Sequence, residues 1–312
     1  MNLPSAYQGR GWKPRRLPMR AERDGRLWSQ HAISSEYKSL KSVLLFSPGR
    51  EVHGLRQPQR IQHLRKIDSR KLRRELNAYA KALRQCGIEV NWVQAKAPPP
   101  NFVFQRDLFF NTPEGVILGR MASEVRAGEE KFAAASLAAH SLPILATISG
   151  RGTFEGADAL WLTPRFVLVG VGNRTNREGF AQVRRVLGQQ GVKAAAVKMP
   201  AGVQHLLGIL QIVDRRLAVV RGAKMSRTLK SFLRRQGFRL LEVPETEEVC
   251  EHQGLNFVTV APREIVMAAN CPELRALLTA NKIKIRNELE IPQLLNAAGG
   301  LACATGILAR SP

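Results

Sequence analysis

The apolar residues of this chain come in short runs that repeat. "DLFFNTPEGVILGR" begins at Asp107, "DALWLTPRFVLVGV" at Asp158, "GILQIVDRRLAVVRG" at Gly208 and "NFVTVAPREIVMAA" at Asn256. Each is an apolar run, a short turn containing Pro, Gly or Asp, and a second apolar run, the pattern of a tight β-hairpin. The starts lie about 50 residues apart, and a fixed period of that size marks a repeat architecture.

A helical stretch and one further apolar strand follow the hairpins. "NREGFAQVRRVLGQQG" puts Phe180, Val183 and Leu187 on one helical face and stops at Gly191, and "VKAAAVKM" reads as its strand. "SRTLKSFLRRQG" starts at the N-cap candidate Ser226 and leads into "FRLLEV". "CPELRALLTANK" has Pro272 in its first turn and leads into "IKIRNELEI". Upstream, Leu72, Leu76, Tyr79 and Leu83 share the face of a helix that stops at Gly87, before "IEVNWV". The unit is therefore hairpin, helix, strand.

Starting the first unit at "KSVLLFSPG" near residue 41 gives five units, the first short of a hairpin strand. "LACATGILA" at the other end of the chain can supply that strand and close the ring. The expected fold class is α/β, a five-bladed α/β propeller, with residues 31–312 as one domain. Residues 1–30 hold seven basic and two acidic residues with Pro and Gly among them, and are expected to form a flexible or loosely docked basic arm.

Composition narrows the function classes. Of 312 residues, 44% are hydrophobic, enough for a sizeable core. No run of 18 apolar residues and no apolar leader is present, so no membrane span is expected and a cytoplasmic location is. Cys86, Cys250, Cys271 and Cys303 are far apart, with no CxxC pair, which argues against a zinc site or a disulfide framework. The net charge of +23 raises nucleic acid as a partner. Its even spread and the lack of a nucleic-acid-binding motif favour a generally cationic surface instead.

The start of each hairpin carries a reactive or polar side chain: Asp107, Glu155 with Asp158, His205, Asn256, and Cys303 in "GGLAC". A closed ring of repeats carries equivalent positions to one end of its axis. Two carboxylates, a histidine and a thiol meeting there make a nucleophile, a base and a cation-binding pair. The glycines of "GGLAC" are expected to let the backbone approach a substrate closely.

These residues, in this order, resemble the pentein or guanidine-modifying superfamily of arginine deiminases, amidinotransferases and dimethylarginine dimethylaminohydrolases. The matching pieces are "SSEYKSLKSVLLFSPG" at 34–49, "FVFQRD" at 102–107, "FEGAD" at 154–158, "GNRTNREG" at 172–179, "HLLG" at 205–208 and "GGLAC" at 299–303. The resemblance covers about residues 34–310, and the pentein fold has five blades. It implies that Cys303 attacks a guanidinium carbon as a thiolate and that His205 protonates the departing amine and then activates water. Asp107 and Glu155 would grip the planar guanidinium, and Arg174 would meet a substrate carboxylate. Asp158 would orient Glu155 or the neighbouring loop more than touch substrate. No metal or organic cofactor is implied, and the partner is a small guanidino compound held by a monomer or a homodimer.

Two departures refine this. Deiminases and amidinotransferases carry an Asp two places after the histidine, where this chain has Leu207, and "EGAD" puts Ala157 where a glycine is usual. A buried N–H without an acceptor costs about 1–3 kcal/mol. An N-alkylated guanidine has fewer N–H groups to satisfy than free arginine. Both the missing Asp and the chain length point to the dimethylarginine-hydrolase branch, giving a ureido product and an amine. The alternatives are transfer of the amidino group to an amine acceptor, and a non-catalytic scaffold of the kind found in a pentein translation initiation factor, its basic surface meeting RNA.

Overall fold

In a computed structural model that describes residues 3–52 and 57–312, five three-stranded sheets are arranged around one axis. The first is built on β1 (Leu40–Phe46), α1 (Ser69–Gln85) and β2 (Glu89–Val93). The second is α2 (Gln105–Leu108), β3 (Phe109–Asn111), β4 (Val116–Leu118), α3 (Glu129–Ala139) and β5 (Ile144–Thr147). The third is β6 (Ala159–Thr163), β7 (Phe166–Val171), α4 (Arg177–Gln189) and β8 (Lys193–Lys198). The fourth is β9 (Leu210–Asp214), β10 (Leu217–Arg221), α5 (Arg227–Arg235), β11 (Arg239–Val243) and α6 (Glu247–Cys250). The fifth is β12 (Val258–Ala261), β13 (Glu264–Ala268), α7 (Pro272–Ala280) and β14 (Lys284–Leu289). The chain then runs through α8 (Pro292–Asn296) and α9 (Leu301–Ala304) into β15 (Gly306–Arg310).

Each unit has one pairing logic. The hairpin strands are antiparallel, as in Leu160↔Leu168, and the strand after the helix joins in parallel, as in Leu168↔Ala195. A parallel partner needs a crossover, and the helix provides it. The ring closes as the repeat requires: β15 lies antiparallel to β1, Val43 opposite Ile307, and β2 runs parallel to β1. The five-bladed propeller is thus the fold of this chain.

Burial explains the sequence pattern. Hairpin strands such as β9 and β10 are buried almost throughout and read as unbroken apolar runs, whereas β14 alternates between exposed and half-buried on the rim. The helices cover the outside. Leu72, Leu76, Tyr79 and Leu83 of α1 are fully buried. The predicted caps are in place: Ser226 Oγ accepts from Leu229 N at 3.1 Å, and the side chain of Asn176 accepts from Gly179 N at 2.8 Å. Pro272 stands in the first turn of α7.

The innermost strands line the axis. Leu160, Ile212, Val258 and Ile307, from four different blades, face one small inner cavity, and Phe110 of β3 faces another beside it. Glu36, just before β1, plugs this space. It accepts from Arg106 Nη2 at 3.0 Å and from Trp161 N at 3.2 Å. Part of the basic arm lies against the second blade, where Arg23 Nη1 donates to the carbonyls of Thr112 and Pro113 at 2.9 and 3.2 Å. Among the described residues no helix is long and apolar enough to cross a membrane.

Candidate active site

The reactive residues do not sit on the hairpin strands themselves. Each sits at a short helical turn that precedes a first strand: Asp107 in α2, Asp158 in the turn Gly156–Asp158 with Glu155 just before it, His205 just before Leu206–Gly208, and Cys303 in α9. A turn of three or four residues is too short to show a helical period. These turns set Asp107, Glu155, His205 and Cys303, from four blades, just ahead of the strands they precede.

Asp107, Glu155 and His205 are buried together. His205 Nε2 lies 2.6 Å from Glu155 Oε2 and 3.9 Å from Asp107 Oδ1. Burial alone would strip the imidazole of its proton, but the Asp107 charge and the Glu155 hydrogen bond reverse this and raise its pKa to about 9. Burial likewise works against the charge on Glu155, yet the hydrogen bond from His205 and the nearby Arg126 bring its carboxyl down to about 2. The pair is therefore an imidazolium bound to a carboxylate at neutral pH.

A residue that the sequence patterns did not single out sits at the centre. Arg126 Nη1 is 2.6 Å from Asp107 Oδ2 and 3.4 Å from Glu155 Oε2, while its other nitrogens form a fork on Glu129 at 2.8 to 3.2 Å. Burial opposes its charge, and the carboxylates of Glu129, Asp107 and Glu155 hold it well above the ordinary arginine range. Arg126 lies in the non-repeating link between β4 and α3, which is why the period did not find it. The only sequence signal is its i,i+3 spacing to Glu129.

Cys303 is 8% exposed and shares a cavity with Asp107, Arg126, Arg174, Gln204 and Asn101. Burial first, and the Asp107 charge second, push its thiol up to about 11. Asn256 opposes this: its Nδ2 donates to Cys303 Sγ at 2.9 Å while its Oδ1 accepts from Cys303 N at 3.1 Å. The glycines before Cys303 serve this packing. A Cβ on Gly299 would lie 2.1 Å from the Phe104 ring, and one on Gly300 would lie 2.7 Å from Asn256 Cγ. The close approach expected toward a substrate is made to Phe104 and Asn256.

Three expected placements change in detail. Glu155 does not keep a free oxygen for a guanidinium, because His205 and Arg126 meet Oε2 while Ala122 N (3.2 Å) and Arg174 Nη1 (3.5 Å) meet Oε1. Asp158 does not line the cavity. It accepts from Thr175 Oγ1 at 2.7 Å and from Leu206 N at 3.0 Å, and so ties the loop of His205 to the third blade. Leu207 lines the inner cavity with Leu160 and Ala302, and does not line the cavity of Cys303. Arg174 does line the cavity, leaning on Glu155. Asp107, Glu155 and His205 also bring ligand atoms within 4.8 Å of one another, a spacing that suits a small cation. Both carboxylates already meet the cationic Arg126.

Set against known proteins, residues 57–306 match the family described as N,N dimethylarginine dimethylhydrolase, eukaryotic. The chain belongs to the dimethylarginine dimethylaminohydrolase family. It is 26% identical over 264 residues to the N(G),N(G)-dimethylarginine dimethylaminohydrolase of Pseudomonas aeruginosa, covering 84% of this chain and 97% of that one. A structure of a mutant of the Pseudomonas aeruginosa protein complexed with citrulline superposes with a TM-score of 0.72 at 20% identity, over 88% of this chain and all of that one. The amidinotransferase SxtG of Microseira wollei shares the fold, with a TM-score of 0.73 at 15% identity over 90% of this chain and 98% of that one. Membership places the chain in a hydrolase family of the pentein superfamily, whose fold the amidinotransferase SxtG shares.

Proposed function

We propose that this protein is a cysteine-dependent hydrolase of N-substituted guanidines, converting a dimethylarginine-like substrate to a ureido product and an amine. The observation that carries the reading is Asp107 Oδ1. It is a buried carboxylate oxygen with no donor, on a residue that lines the cavity of Cys303 and stands 3.9 Å from His205. A buried acceptor of this kind is satisfied by an N–H of a cationic ligand, and a guanidinium supplies one in a planar, charge-assisted geometry.

In the proposed reaction the bound guanidinium, itself a cation beside the thiol, stabilises the Cys303 thiolate that burial disfavours. Sulfur attacks the guanidinium carbon and the C–N bond to the substituted nitrogen breaks, its electron pair taking the proton of His205 as the amine leaves. Neutral His205 then removes a proton from water, which attacks the same carbon of the amidino-thioether. The C–S bond breaks, the ureido product gives up its remaining proton to the released amine or to solvent, and the thiolate returns. Glu155 acts through His205, keeping the imidazole charged and oriented. Arg174 meets a carboxylate on the substrate. The reactive thiol, the proton donor and the carboxylate come from separate blades, so the ring positions all three.

The test is mass-spectrometric product analysis with dimethylarginine, methylarginine, arginine, agmatine and short guanidino acids, with and without an amine acceptor. A ureido product formed without acceptor, and lost in Cys303→Ala, supports the reading. Transfer that requires the acceptor moves the protein to the amidinotransferases, and no turnover of any compound removes the hydrolase reading for these substrates.

A further inference from the structure

The +23 net charge is spread evenly along the sequence but is not neutralised evenly on the surface. On the fourth and fifth blades several basic residues meet carboxylates, Lys230 and Arg234 with Glu242 at 2.7 and 3.1 Å, and Lys284 and Arg286 with Glu264 at 3.8 and 2.8 Å, while others such as Arg215, Arg216 and Arg235 stand exposed and, among the described residues, without an ion pair. On α1 none does so. Arg70, Lys71, Arg73, Arg74, Lys81 and Arg84 are all exposed, and among the described residues none pairs with a carboxylate. The two nearby acids are already engaged. Asp68 caps the helix by accepting from Arg70 N and Lys71 N at 2.8 and 3.1 Å. Glu75 is half-buried and accepts from Gln293 N and Leu294 N of α8 at 2.9 and 3.1 Å.

At about 100° per residue these six side chains fall within about 160° of the helix circumference, opposite the buried Leu72, Leu76, Tyr79 and Leu83. Positions 70, 74, 81 and 84 form one stripe. The helix is about 25 Å long at 1.5 Å per residue, and one DNA strand places about seven phosphates along that length. Like charges this close repel one another. The fold gains little from them: no hydrogen bond or ion pair of the core uses them, and what they add is the pull of Arg70 and Lys71 on the Asp68 cap and of Arg84 on the last turn of the helix.

We propose that the outward face of α1 docks the sugar-phosphate backbone of a nucleic acid, without reading base sequence. The other residues exposed on this face, Asn77, Ala78 and Gln85, offer nothing apolar to insert into a lipid surface, and the helix's large apolar side chains are spent in the core. Charge without an apolar partner suits phosphate contact, whose affinity comes from counterion release.

The experiment compares the full chain with two quadruple variants of equal charge. One is Arg70→Gln, Arg74→Gln, Lys81→Gln and Arg84→Gln; the other is Arg234→Gln, Arg275→Gln, Lys284→Gln and Arg286→Gln, all carboxylate-paired, Arg275 with Glu288 at 3.5 Å. Binding of a fluorescent mixed-sequence DNA duplex and an RNA single strand is read by anisotropy from about 50 to about 200 mM salt. Thermal melting checks that each variant is folded. The α1 variant should lose about 3 to 4 units of the log K against log salt slope for the duplex and at least tenfold in affinity near 100 mM salt. The second variant should stay within about twofold of the wild type. Equal losses in both variants would mean diffuse attraction and overturn the proposal, as would no binding by the wild type, or binding to phosphatidylserine vesicles with none to nucleic acid.

Discussion

Asp107 and Glu155 both meet the Arg126 guanidinium, but among their four oxygens only Asp107 Oδ1 is left buried without a donor. The difference comes from neighbours: Glu155 is also hydrogen-bonded by His205 and Ala122 N, with Arg174 at ion-pair distance, 3.5 Å. Asp107 therefore keeps one oxygen without a donor, while its charge and the Glu155 hydrogen bond together hold the imidazole protonated. Their roles are separable by pH. With the Cys303 thiol near 11 and His205 near 9, kcat/KM should have an alkaline optimum between these values. Replacing Glu155 by Gln removes one of the negative charges that hold the imidazolium and leaves Asp107, so the His205 pKa falls and its limb of the profile moves to lower pH. An optimum below neutrality, or a limb unmoved by Glu155→Gln, would contradict this assignment. Stability follows the same signs. His205 is raised in the folded state, so its contribution is complete below its ordinary 6.5 and lost as pH rises through about 9. Glu155 is lowered, so its contribution is present above its ordinary 4.5 and lost as pH falls through about 2. Denaturant titrations should show the largest gap between wild type and Glu155→Gln from about pH 4.5 to about 6.5.

Replacing Arg126 by Met should cost about 3–5 kcal/mol, since it leaves Glu129 and its two partner carboxylates buried without their cation. A loss under about 1 kcal/mol in urea unfolding would show that the carboxylates relax to other donors.

At the scale of single elements, the helices were legible because their signals are local. Asn176, Ser226 and Pro272 act within one turn of their own position. Asn176 caps α4 and also accepts from Thr153 N at 3.1 Å and donates to Arg151 O at 2.7 Å. Asn176→Ala should therefore cost about 1–2 kcal/mol, the upper half of the range for a cap, with the cost read from the urea midpoint. The short turns that carry Asp107, Asp158 and Cys303 were not legible, because a three- or four-residue helix has no period and its shape depends on what it packs against. "GGLAC" illustrates this. Its glycines were visible, but that they clear Phe104 and Asn256 depends on residues distant in sequence. Gly300→Ala should push Asn256 off Cys303 and slow alkylation of the thiol by iodoacetamide at fixed pH, because the Asn256 hydrogen bond is the largest of the contacts that oppose the rise in the thiol pKa. An unchanged rate would show that Asn256 has no part in poising Cys303.

For the whole molecule, closure of the ring is the decisive contact. The first blade borrows β15 from the far end of the chain, pairing Val43 with Ile307 and Leu44 with Gly306. A chain ending before Gly306 would expose the edge of β1 and open the inner cavity that Ile307 and Arg310 line. Such a truncation should lose the cooperative thermal transition and associate on gel filtration, as unpaired strand edges do. A sharp melt and a monomeric elution would show that four blades and a partial fifth suffice. What the sequence determined by itself was whatever repeats or acts locally: the hairpin–helix–strand unit, the number of units, the caps, and the reactive residue types that mark each unit. Those signals are carried by side-chain period and turn chemistry, which need only neighbours along the chain. The tertiary structure alone decided which carboxylate keeps a free oxygen, that Arg126 and Asn256 join the site, that Asp158 and Leu207 stand outside the cavity, and which basic residues go unpaired. Those outcomes depend on distances of a few ångströms between residues far apart in sequence, and on burial, which sets the strength of every charge in the site.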